Sequence, residues 1–183
     1  MTPAPVSCLC ARRYVGPHSK QFQAMPLKVA LAQLSPVEKE TRRLAYAIKD
    51  PRNAREITTA AREMAQLIAC NHAVLIPVPA SSGSIAANLA LAQAIQRERP
   101  TLAVIPALRR RASVDSTCRR AKAGLPRLTV AEHRMARVLY RLPKDAPLFY
   151  VDNVTTEGNT LRAAWQCFKR GCGLMFADAS PDA

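Results

Sequence analysis

Residues 148–160, LFYVDNVTTEGNT, decide the fold. Four apolar residues, Leu148 to Val151, run into Asp152 and Asn153. A short polar loop with one glycine follows, and Leu161-Arg-Ala-Ala-Trp165 then opens a helical pattern. An apolar run this short, ended by an acid and feeding a helix, predicts a buried parallel strand with a site at its carboxyl end. In open α/β sheets ligands bind at such ends, and the free N–H groups of a helix start favour an anion there. Asp152 suits sugar hydroxyls or a metal ion, and the Thr155–Thr160 loop suits a phosphate.

The stretch resembles the phosphoribosyl diphosphate (PRPP) signature of the type I phosphoribosyltransferases: apolar strand, two acids, a turn ending in Thr-Gly, then a small residue and Thr or Ser. Spacing from Asp152 to Gly158 and Thr160 fits without a gap. Asn153 stands at the second acid and Glu157 where threonine is usual. A carboxylate beside a docking phosphate repels it by roughly 1 kcal/mol in water and by more in a drier site. The resemblance implies a phosphoribosyltransferase-like Rossmann-type fold, a parallel sheet flanked by helices with a flexible basic loop. It implies Asp152 and Asn153 on the ribose hydroxyls, and Thr155, Thr156, Glu157, Gly158, Asn159 and Thr160 around the 5′-phosphate. It also implies Mg²⁺ as cofactor, held by Asp152 and largely by ligand oxygens.

A second strand–turn–helix lies at Ala73-Val-Leu-Ile-Pro-Val-Pro79, followed by Ala80-Ser81-Ser82-Gly83-Ser84 and a helical pattern through Leu89, Ala92 and Ile95. By itself it is an anion turn or a plain serine-capped turn. In the resembled family it is the pyrophosphate loop, and Pro-Val-Pro recurs at this strand end in the competence-associated branch. Leu44-Ala-Tyr-Ala-Ile-Lys49 and Leu128–Arg137 resemble two further segments of that branch, the latter a helix.

Between the two turns, Leu102–Leu108 reads as a buried strand. From Arg109 to Arg141 the chain then carries ten Lys/Arg against Asp115 and Glu132, a net +8 of its +14. In the family a flexible loop here closes over the diphosphate, implying roles for Arg109, Arg110, Arg111, Arg119 and Arg120, with Arg110 catalytic. A basic patch of this kind equally suits nucleic-acid phosphates.

Upstream, Ser35-Pro-Val-Glu38 is a cap-like helix start, and Asn53 with Glu56 reads as a capping box. Ile57, Ala60, Ala61, Met64, Leu67 and Ile68 form one apolar helix face. Downstream, Leu161, Ala164, Trp165 and Phe168 form another, ended by Gly171. Residues 1–25 are basic and unpatterned and read as a mobile tail, leaving 26–183 as one domain.

No apolar run approaches the ~20 residues of a membrane span. The N-terminus lacks the apolar segment of a secretory signal, so a cytoplasmic protein is expected. Six scattered cysteines and three histidines form no metal-spaced set, and reduced thiols follow. Two functions remain open. One is transfer of ribose 5-phosphate from PRPP to a nitrogen nucleophile. The other is a catalytically silent protein of the same fold, acting as a nucleotide sensor or as a nucleic-acid-binding, DNA-uptake-associated factor. Because this family often dimerises, a second copy of the chain is a candidate partner.

Overall fold

The computed structural model describes residues 6–13, 26–116, 119–120, 123–126 and 128–179, Leu27 by its backbone only. It contains β1 (Cys8–Arg13), α1 (Leu27–Ala32), α2 (Pro36–Ala47), α3 (Ala54–Gln66), β2 (Val74–Pro77), α4 (Ala86–Glu98) and β3 (Ala103–Val104). These are followed by β4 (Leu108–Arg110), a 3-10 turn (Ala131–His133), β5 (Met135–Arg137), β6 (Leu148–Thr155), α5 (Asn159–Phe168) and β7 (Cys172–Asp178). The main sheet has the order β1-β7-β6-β2-β3 with every pair parallel, and β4 and β5 form a separate antiparallel ribbon. This is an α/β fold.

The strands at the centre read as continuous apolar runs because both faces are covered. Leu75, Phe149, Val151, Leu174 and Phe176 pack in the core that contains the apolar faces of α2, α3 and α4. Val74, Ile76, Leu148, Tyr150 and Met175 pack in a second core with Leu161 and Ala164 of α5 and with Leu108 of the ribbon. No helix among the described residues is long and apolar enough to cross a membrane.

Several expectations are corrected here. Residues 8–13, read as part of a mobile tail, form an edge strand in register with β7 (Leu9 opposite Leu174, Arg12 opposite Ala177). The rest of that segment, 1–5 and 14–25, lies outside the described residues. The run Leu102–Leu108 is not one strand. Pro106 has no N–H for a ladder, Ala107 N–H turns back to Ile105 O at 2.8 Å, and the chain leaves the sheet after β3 to enter the ribbon. Leu128–Arg137, resembling a helix, is a single 3-10 turn followed by β5. The Asn53 side chain makes no cap bond; its Nδ2 donates instead to Ala47 O at 2.8 Å and ties α2 to α3. Lys169, at φ 58°, takes the left-handed position at the end of α5 that Gly171 was expected to take.

Candidate functional site

β2 and β6 are neighbours, with Pro77 opposite Val151 and Val78 N–H donating to Val151 O at 3.0 Å. The β2 pairing ends there, while β6 continues against β7 as far as Thr155 opposite Asp178. On its β2 side, the strand therefore lies bare from Asp152 onward. The turns after the two strands open into one cavity of about 520 Å³, the size of a ligand site.

Of the sequence-predicted residues, Asp152, Asn153, Thr155, Thr156, Glu157, Gly158, Asn159 and Thr160 line this cavity. So do Ala80, Ser81, Ser82, Ser84 and Arg110. Gly83 does not; at φ +90° it shapes the turn behind the lining. Arg109 and Arg111 are exposed and stay outside the cavity, and Arg119 and Arg120 border an adjoining hollow that shares Ser81 and Ser82. Arg109 and Arg110 belong to β4 and Arg111 is joined to Arg134 O by its N–H (2.9 Å), so these three sit at an ordered base, not on a flexible loop. Residues 117–118, 121–122 and 127 of the expected loop lie outside the described residues.

Asp152 is held from two sides. Its Oδ1 accepts from Asn88 Nδ2 at 2.9 Å and from Asn153 N–H at 2.8 Å. Burial pushes its carboxyl up, while those two hydrogen bonds, Lys49 and Arg110 pull the other way. Asn88, 5% exposed, also donates to Val78 O at 2.7 Å, so one buried amide joins the ends of both strands. Those two donations settle its orientation, and its Oδ1 is left buried without a partner among the described residues.

Arg110 does not reach freely into the cavity. Its Nε donates to Pro79 O (3.2 Å) and Ala80 O (2.7 Å), and its Nη1 to His133 O (2.5 Å). It staples the first turn to the 3-10 turn while remaining part of the cavity lining. Burial lowers its pKa, and Asp152 opposes that shift.

The serine turn is closed on itself. Ala80 N–H donates to Ser84 O (2.8 Å) and Gly83 N–H to Ala80 O (2.9 Å). The Ser82 and Ser84 hydroxyls accept from Ser84 and Ala86 N–H. Some of the donors expected to face an anion are thus committed within the turn. At the second turn Gly158, at φ 72°, precedes α5 and as a glycine offers no side chain to cap the helix start, the kind of helix start that suits an anion. The side chain of Arg162 braces that turn by donating to Glu157 O and Asn159 Oδ1 (2.9 and 2.8 Å).

Tyr46, Lys49, Asn88 and His133 also line the cavity, and none of the four was assigned to it from sequence. Asn88 comes from the first turn of α4, whose pattern announced only packing, and Lys49 from the turn that follows α2; the one signal was a polar residue, Asn88, at a buried position in the first turn of a helix.

Among the described residues the lining cations are Lys49 and Arg110, against Asp115, Asp152 and Glu157. A bound divalent cation would complement this set in holding a diphosphate. Asp152 Oδ2 carries no hydrogen bond from the described residues, and no group of three metal-ligating side chains occurs among them. Such a set suits Mg²⁺ that keeps its waters and takes ligand oxygens, and does not suit an all-protein cage. Comparisons with family models, curated proteins and solved structures find no match for this chain.

Proposed function

We propose that the cavity binds PRPP with Mg²⁺ and that the chain is a phosphoribosyltransferase-like protein transferring ribose 5-phosphate to a nitrogen nucleophile. The observation that carries this reading is the pairing of Pro77 with Val151, which sets an uncapped helix start and a serine turn side by side with Asp152 between them. Asp152 and Asn153 would take the ribose hydroxyls. Thr155, Thr156 and the N–H groups from Gly158 to Thr160 would take the 5′-phosphate, and Ser81–Ser84 the diphosphate. In the reaction a C–N bond forms at the anomeric carbon as the C–O bond to diphosphate breaks, the electron pair leaving with the diphosphate. The chain's part is charge placement around a cationic sugar and an anionic leaving group. Mg²⁺ supplies positive charge to the leaving diphosphate. Isothermal titration of the full chain with PRPP and Mg²⁺ tests the reading: saturable heat lost in Asp152→Asn supports it, and no heat in wild type sinks it.

A second reading, nucleic-acid binding, is favoured by a different surface. At the C-terminal end of α5 Arg137 lies over the Phe168 ring (5.3 Å) and Lys169 over Trp165 (5.4 Å), an interleaving of cations and aromatics. Stacking and phosphate contact both suit a single strand. If this surface is used, affinity for an oligonucleotide falls steeply with salt and weakens in Arg137→Ala; a flat salt response removes the reading.

A further inference from the structure

We infer that His133 is a ligand-binding residue of the cavity, a neutral imidazole that donates its Nε2–H to a phosphate or diphosphate oxygen. The inference rests on the cavity being an anion site. Its basis is the way the chain places the ring. Thr129 N–H and Oγ1–H both donate to Glu132 Oε2 at 2.7 Å, and Glu132 N–H returns to Thr129 Oγ1 at 3.4 Å. This reciprocal cap starts the 3-10 turn. Arg134, at φ 49°, ends it in a left-handed conformation that a non-glycine residue seldom adopts.

The turn is tied to both anion turns. Arg110 joins His133 to Pro79 and Ala80, and Asn159 Nδ2, at the start of α5, donates to Leu128 O at 3.0 Å. His133 itself is 5% exposed and forms part of the cavity wall. Arg110 Nη1 stands 3.3 Å from His133 Nδ1. A guanidinium has donors only, so Nδ1 must accept and the ring proton sits on Nε2. A buried histidine kept for structure alone generally uses both nitrogens. Here Nε2 makes no hydrogen bond among the described residues, and it is not among the fully buried unpartnered atoms, as Asn88 Oδ1 is, while the residue lines the cavity. Burial and Arg110 disfavour the imidazolium, so the donor adds direction without charge.

The test combines two measurements on the full chain with Mg²⁺. Inorganic pyrophosphate and ribose 5-phosphate are titrated separately into wild type, His133→Gln and His133→Phe. In parallel, ¹⁵N spectra of the histidine rings are recorded at neutral pH with and without each anion. A donor to a charged oxygen is worth about ten-fold in affinity. His133→Phe should therefore lose about that much for one of the two anions, while His133→Gln, which keeps an N–H donor, stays close to wild type. The wild-type spectrum should show Nε2 protonated and shifting with that same anion, a readout that survives even where the Phe variant fails to fold. An Nδ1–H ring, or wild-type binding that both variants match or both lose equally, overturns the role of His133 and leaves the PRPP reading standing. Binding of neither anion by wild type overturns both.

Discussion

Gly171 and Gly158 are both glycines at positive φ, yet they tolerate substitution differently. A Cβ on Gly171, at φ +98°, would lie 2.8 Å from Leu148 O and 2.9 Å from Leu148 Cβ, so strand β6 itself would have to move. A Cβ on Gly158, at φ +72°, meets nothing within 4 Å. Gly158→Ala should cost about 1 kcal/mol, the strain of the left-handed backbone alone. Gly171→Ala should cost about 3 kcal/mol or more in urea unfolding. Glu157 marks another residue-scale effect, because it is an acidic residue lining the cavity. Removing a repulsion of roughly 1 kcal/mol, Glu157→Thr should bind ribose 5-phosphate about five-fold more tightly by titration. His133 makes stability depend on pH. Burial first and Arg110 second lower it from 6.5 to about 4, with Glu132 opposing. Between these values the unfolded chain binds the extra proton, so the contribution is complete above pH 6.5 and is lost as pH falls toward 4. The loss is up to about 3 kcal/mol, and His133→Gln should flatten that part of the urea stability profile.

At the scale of elements, one side chain bridges the ends of α3 and α4, whose apolar faces share the core. Arg99, just past α4, donates through Nη1 to Ile68 O (2.8 Å) and through Nη2 to Cys70 O (2.9 Å), carbonyls that follow the end of α3. The carbonyls at and just past a helix end need partners, and a planar fork reaches two at once. Arg99→Ala should cost about 1–3 kcal/mol in chemical unfolding, and Arg99→Lys should recover only part of it. Local sequence was a good guide where the bonds are local. Ser35 and Glu38 form the expected capping box, with Glu38 N–H to Ser35 Oγ at 3.2 Å and Ser35 N–H to Glu38 Oε2 at 2.8 Å. The same pattern at Asn53 and Glu56 does not close: Asn53 Nδ2 donates to Ala47 O across the α2–α3 connection, and the Glu56 carboxylate accepts from Arg43 Nη1 at 3.3 Å.

For the molecule as a whole, β1 covers the edge of the sheet and ties it to two helices. Arg12 grips α3 through a two-pronged pair with Glu63 (2.7 and 2.6 Å), reaches Thr41 of α2 at 3.3 Å, and lies 5.6 Å over Phe176 of β7. A chain lacking residues 1–13 exposes the full edge of β7, a template for pairing between copies. It should aggregate in size-exclusion chromatography while the full chain elutes as a discrete species; equal behaviour would show that β1 is dispensable. The sequence alone determined the apolar strands at 74–77 and 148–151, the helix faces and the turns that follow, because each rests on neighbours a few residues apart. Which strands lie together was decided only in three dimensions. Asn88 meeting Asp152, Arg110 stapling the serine turn to the 3-10 turn, and His133 entering the cavity wall all depend on contacts over 23 to 64 residues. Such contacts leave no periodicity in the chain, since a buried polar group is satisfied by whatever the packed structure brings within about 3 Å.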